Sequence, residues 1–192
     1  MYSSTRVVAL AGVFVAVGLL GPTAGAQTSG EREEFTAIAI ANDDLGSGAT
    51  TLIIQINRWS TEPERAKFLV ALRNEGPKAA VAEMNRARSV GTIRSPGSLG
   101  YDLRYAQQTQ GEDGGRQILI MTDRPLSFLE TWHHTRSTDY PFTVIQMDMK
   151  RDGRGQGTLT DYAKLLAMGK FVEIENLSTA PIKLTQIIAR KR

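Results

Sequence analysis

Residues 49–77, ATTLIIQINRWSTEPERAKFLVALRNEGP, hold the change of period that decides the class of fold. Over Ala49–Trp59, Leu52, Ile54 and Ile56 alternate with Thr51, Gln55 and Asn57, Ile53 being the exception. That two-residue repeat is the mark of a half-buried strand. At Thr61-Glu62-Pro63-Glu64 the pattern becomes a capping box, in which the Thr61 hydroxyl takes a free amide of the first turn and Glu64 reaches back. Pro63 costs nothing there, because the amide it lacks has no helical partner. Phe68, Leu69 and Leu72 then form an apolar stripe, and Gly76-Pro77 ends the helix. A second, shorter helix is predicted from Pro77 to about Arg88, with Ala80, Val81, Met84 and Ala87 inward.

On both sides of this helical pair the chain reads as strands. Phe35–Ala41 precedes it, separated from Ala49–Trp59 by a predicted turn over Asn42–Gly48. After it come Val90–Arg94, the turn Ser95-Pro96-Gly97-Ser98, and Leu99–Gln107, where Leu99, Tyr101, Leu103 and Tyr105 alternate as if on one face. Arg116–Thr122 follows a glycine-rich turn over 110–115. Residues 123–141 lack a period, and Phe142–Lys150 alternates again. In that last strand Phe142 and Val144 differ in parity from Met147 and Met149, which implies a bulge or burial on both sides. Asp152-Gly153 starts a turn, and Gly157–Leu166, Lys170–Asn176 and Ile182–Ala189 complete eight or nine strand candidates. Tight turns between alternating segments favour antiparallel pairing. The expectation is one α+β domain over 35–192: a mainly antiparallel sandwich or partly closed barrel with a helical pair inserted near 61–88.

The first 26 residues read as an export signal. Arg6 is the one charge, Val7–Leu20 is an apolar run broken by Gly21-Pro22, and Ala24-Gly25-Ala26 supplies the small residues of a cleavage site. The run has 14 residues where a membrane span needs about 20. The expected mature chain starts at Gln27 with a flexible lead-in over 27–34, and works in the periplasm or outside the cell without a membrane span. Trimming lowers the formal charge from +3 to +2, and the remaining cations mix with acids. Nothing there resembles the basic stripe that nucleic acid requires. With no cysteine, disulfides and thiolate chemistry are excluded.

The motifs reduce to turns when their neighbours are read. Gly153-Arg154-Gly155-Gln156-Gly157 looks like a phosphate-cradling loop, but Thr158-Leu159-Thr160 after it reads as strand where a helix N-terminus is needed. Asp148–Gly153 opens like a calcium loop, yet its third position is Lys150 and its twelfth is Leu159. Asn42-Asp43-Asp44 offers oxygens to a cation, as any Asx turn does. Tyr101, Tyr105 and Trp59 at strand spacing are expected in the core, and Arg94 and Arg104 either line a barrel or sit on a solvated face. No metal or cofactor is expected.

The aperiodic stretch collects the remaining chemistry: Asp123, Arg124, Glu130, Trp132, His133, His134, Asp139 and Tyr140. Long loops on a rigid sheet are where sites sit, so these residues are the predicted binding site. Asp123 and Arg124, at a strand end, are read as pairing with each other to peg the loop, the alternative being that they hold a ligand. The two histidines are adjacent, hence on opposite faces of an extended chain, which argues against shared ligation of zinc.

Val90–Arg94, Ser98–Tyr105 and Met121–Pro125 together resemble a family of small exported bacterial proteins. That resemblance implies export and a single domain, and brings no activity, cofactor or catalytic residue. The first reading is therefore a non-enzymatic, exported binding or envelope-associated domain whose partner is a small molecule or an envelope protein. The alternatives are a small hydrolase or lyase using Asp123, Glu130, His133 or His134, and a structural module that pairs through a sheet edge.

Overall fold

The computed structural model describes residues 16–18, 31–43, 46–111, 114–124, 126, 140–168, 171–176 and 181–191. Their order is β1 (Ala16–Gly18), β2 (Glu33–Asp43), β3 (Gly46–Ile56), α1 (Glu62–Glu75), α2 (Pro77–Arg86), β4 (Gly91–Arg94), β5 (Tyr101–Leu103), β6 (Tyr105–Gln110), β7 (Arg116–Thr122), β8 (Phe142–Met149), β9 (Arg154–Met168), β10 (Phe171–Asn176) and β11 (Ile182–Lys191). The first strand of the ring begins at Glu33, two residues inside the stretch expected as lead-in. The 42–48 turn is shorter than its composition suggests, since Asn42, Asp43 and Gly46–Gly48 are already paired.

Every strand pair is antiparallel, and the sheet runs β5-β4-β3-β2-β11-β9-β8-β7-β6. The two ends of that path, β5 and β6, are consecutive pieces of one run joined at Arg104. The Arg104 amide donates to the Met121 carbonyl at 3.0 Å and the Val90 amide to the Leu103 carbonyl at 2.8 Å. The sheet thus returns on itself as a nearly closed barrel, and the α+β expectation with an inserted helical pair holds. β10 lies outside the ring, between β9 and β1.

Two cores follow from the alternation. Inside the ring, Phe35, Leu52, Ile54, Ile93, Leu103 and Ile120 join residues of β8, β9 and β11 in one apolar filling. A small barrel is normally filled this way, by side chains from every strand. Outside it, the helices press Phe68, Leu69, Leu72, Ala80 and Met84 against Tyr105, Leu119, Met121, Phe142 and Val144. β7 and β8 are therefore buried on both faces, which explains the parity clash in 142–149: Val144 faces the helices and Ile145 the barrel. The 99–107 alternation is misleading. Leu99 is 92% exposed in the turn, Leu103 points into the barrel, and the break at Arg104 turns Tyr105 outward to the helices.

The capping box forms as the residues require. The Thr61 hydroxyl accepts from the Glu64 amide, and the Glu64 carboxylate accepts from the Thr61 amide at 2.8 Å. Gly76, at φ +89°, ends α1 and starts α2, a backbone that a side chain would strain. The glycine run of 153–157 is a hairpin: Gly153 takes φ +78° in the turn, while Gly155 and Gly157 lie against the β8 backbone. A Cβ on Gly157 would overlap the Gln146 carbonyl oxygen, so close approach is what those glycines serve.

Candidate functional site

The predicted site lies at the barrel end where β7 finishes and β8 begins. Of its eight residues, Asp123, Arg124 and Tyr140 are described; Glu130, Trp132, His133, His134 and Asp139 lie outside the described residues. Thr122 closes β7 by donating its hydroxyl to the Asp102 carbonyl at 2.9 Å. Asp123, half-buried, then accepts from the Asn85 side-chain amide of α2 at 2.8 Å. This replaces the expected pairing with Arg124, whose side chain is exposed. The physical reason is position. α2 packs over this end of the sheet and brings Asn85 to Asp123, while the successive residue Arg124 turns outward.

The Arg124 backbone is held instead of its side chain. Its carbonyl accepts from the Thr143 hydroxyl at 2.9 Å, and that hydroxyl also hydrogen-bonds the Asp161 carboxylate. A hydroxyl has one proton to give, so the two acceptors compete for it. Two residues further on, Leu126 is fully buried among the barrel side chains. The chain therefore dips into the core as it leaves β7.

The other end of the stretch is tied to the β9–β10 hairpin. The Tyr140 hydroxyl donates to Glu175 at 2.7 Å, Lys164 lies 3.7 Å from the same carboxylate, and its ammonium is 5.8 Å from the Tyr140 ring centroid. Tyr140, just before β8, thus joins one polar group with Lys164 and Glu175, which are directly paired across β9 and β10. Asp161 sits at a β-bulge where the β8–β9 register slips and Tyr162 adopts φ 54°. Bulges re-aim side chains at strand ends, and this one lets Ala163 and Leu165 face the helices after Leu159 has faced the barrel.

Arg94 and Arg104 do not line the barrel. Ile93 and Leu103 take the inward positions, and Arg104 lies 3.3 Å from Asp102. Trp59 and Tyr101 pack against the barrel core, as their spacing suggested. Tyr105 is core as well: it stacks at 5.5 Å from Phe68 and donates to Gln107 at 2.6 Å. Burial pushes its phenol far above the ordinary range, so it stays protonated.

A polar group that the sequence did not single out closes the opposite barrel end. Glu33 of β2, its side chain 7% exposed, accepts hydrogen bonds from both terminal nitrogens of Arg116 of β7, and Arg116 also donates to Gln108 at 2.9 Å. The guanidinium lies 5.7 Å from the Phe35 ring centroid. Glu33 stands in a charged stretch that reads as lead-in, and only the inward parity of 33, 35, 37 and 39 would have revealed it. Among the described residues, no three acids or histidines gather as metal ligands, and no helix is long and apolar enough to cross a membrane.

No protein-family model, curated protein or solved structure matches the chain.

Proposed function

We propose that the chain is an exported, envelope-associated binding domain that meets its partner at the barrel end where β7 finishes and β8 begins, with residues 123–141 as the contact segment. The supporting observation is the anchoring of that stretch. Asn85 holds Asp123, Thr143 holds the Arg124 carbonyl, Leu126 enters the core, and Tyr140 holds Glu175. Binding segments fixed at their ends to a rigid sheet lose less entropy when they engage a ligand. The apolar filling of the barrel favours a contact on this outer end over a ligand carried inside. Export rests on the order of charged, apolar and small residues in 1–26.

A thermal-shift screen of sugars, organic acids and lipid headgroups tests the binding part. A ligand at 100 times its dissociation constant adds about 2.7 kcal/mol. The expected result is a shift that Arg124→Ala abolishes and Lys67→Ala, on the exposed side of α1, leaves intact. A shift that survives Arg124→Ala and Tyr140→Phe together would move the site elsewhere. The mass of the chain recovered from the expressing cells tests export: a protein starting near Gln27 supports it, and an untrimmed cytosolic chain refutes it.

A further inference from the structure

We propose that the barrel wall formed by β3, β2 and β11 is a docking face for an anionic lipid surface. This rests on the export reading above, and adds to it the surface that the exported domain meets. The outward residues follow from parity. Phe35, Ala37 and Ala39 fill the barrel, so Thr36, Ile38 and Ile40 face out from β2; likewise Thr51 and Ile53 face out from β3. In β11 a bulge at Gln186 swaps the parity, sending Ile187 into the core and Ile188 outward.

Strand register then sets these residues in rows. One row crosses five strands as Arg154, Ile188, Thr36, Ile53 and Arg94. Its outer positions are about 19 Å apart at the usual strand spacing. The next rows place Ile38 between Thr185 and Thr51, and Ile40 between Lys183 and Ala49. The centre of the wall is thus β-branched and partly exposed, with Ile188 at 46%. The helical pair covers the far side of the ring and leaves this wall uncovered.

All the charges in these rows are positive: Arg94, Arg154 and Lys183. Among the described residues none of the three has a carboxylate within ion-pair distance. The adjoining row runs Arg190, Glu34, Gln55, Thr92 and Asp102, and both of its acids have partners: Glu34 accepts from Gln55 at 2.9 Å and Asp102 lies 3.3 Å from Arg104. An apolar patch whose rim carries an excess of cations without acidic partners is a contact surface for the opposite sign. A second copy laid on the same wall would bring cation against cation, since a two-fold contact uses the same patch twice. Anionic headgroups complement the rim, and the isoleucines meet the acyl boundary.

The test floats the full chain with vesicles of phosphatidylcholine, with and without phosphatidylglycerol. Every variant keeps residues 1–26, so their contribution is common to all. Binding to the phosphatidylglycerol vesicles is expected to exceed binding to phosphatidylcholine and to fall with salt. The double variant Arg94→Glu, Arg154→Glu should weaken it by roughly 30-fold or more, from the loss of two surface cations. Lys67→Glu, Lys78→Glu makes the same change in net charge on the helical side, and should stay within about threefold of the parent. Ile188→Ser should weaken binding while leaving the melting temperature unchanged.

Equal losses in the two double variants, or no preference for phosphatidylglycerol, would overturn the docking face. So would concentration-dependent self-association that Ile188→Ser abolishes, because the wall would then be a contact between copies. If the chain is recovered trimmed in the envelope fraction while the full chain shows no preference among these vesicles, the docking face is overturned and the export reading stands; an untrimmed cytosolic chain refutes the export reading itself.

Discussion

Gly157 and Gly97 are alike in sequence terms, each a glycine beside a strand, but they carry different physical burdens. A Cβ at Gly157 would strike the Gln146 carbonyl and crowd Met147, backbone that belongs to a strand buried in the barrel. Gly97 has open space around it and needs glycine only for φ +78°. Gly157→Ala should therefore cost about 2–4 kcal/mol in urea unfolding, whereas Gly97→Ala should cost about 1 kcal/mol. Equal costs would mean that β8 and β9 do not approach as closely as described. The glycine-rich run illustrates what local reading can reach. Its exclusion as a phosphate loop needed only the strand that follows it, but the reason for three glycines needed the neighbouring strand, which no local spacing reveals.

At the level of single elements, α1 was legible in full because everything it needs is local. Thr61, Pro63 and Glu64 form the cap, and the helix runs from Glu62 to Glu75. Glu64 also receives Arg58 in a bidentate pair at 2.8 and 3.0 Å, and Arg58 reaches on to the Ser89 carbonyl. Burial raises the Glu64 pKa, but the Arg58 and Thr61 hydrogen bonds and the Arg58 charge outweigh it, so the net shift of the pKa is downward. A folded value below the unfolded one means that the unfolded chain binds more protons as the pH falls. The stabilisation is then full above the ordinary value of 4.5 and is lost as the pH drops through the folded value. Glu64→Gln should thus destabilise at neutral pH, and the gap from the parent should close on acidification; a gap independent of pH would contradict this. The cap alone is worth about 1 kcal/mol, which Thr61→Ala measures. β5–β6 was less legible. Alternation in 99–107 suggested one face, and the break at Arg104 reversed it, because closing a ring requires a strand to change neighbours mid-course. The bulge in β11 is similar: Gln186 at φ 50° is a conformation that disfavours side chains. Gln186→Val should cost about 1–2 kcal/mol, while Gln186→Gly should stay within about 1 kcal/mol of the parent by the same melts.

Across the whole molecule, alternation supplies faces but not neighbours, and it is the neighbours that make the barrel. β2 pairs with β11 and β4 with β3 across long stretches of chain, and nothing in either strand names its partner. The candidate site is legible to a smaller extent. Composition marks the 123–141 stretch, yet Asn85 and Thr143, which hold Asp123 and the Arg124 carbonyl, come from elements that give no local hint of that role. The same limit hid the pair at the barrel end opposite the candidate site, where Glu33 and Arg116 are 83 residues apart in sequence. That pair offers a direct test of closure. Glu33 is nearly covered while Arg116 is 29% exposed, so removing either partner should cost less than the 3–5 kcal/mol of a fully buried pair, about 2–3 kcal/mol. Glu33→Met leaves the guanidinium facing Phe35 with Gln108 as a neutral partner, and Arg116→Met leaves a covered carboxylate without its paired cation. Replacing both by methionine removes the charges together and extends the apolar filling, so the double variant should return to within about 1 kcal/mol of the parent. A double-mutant cycle in urea therefore has a definite signature: two large single losses and a strong coupling of opposite sign. Additive losses would mean that the two side chains act separately and that the barrel end is held by its backbone ladder alone.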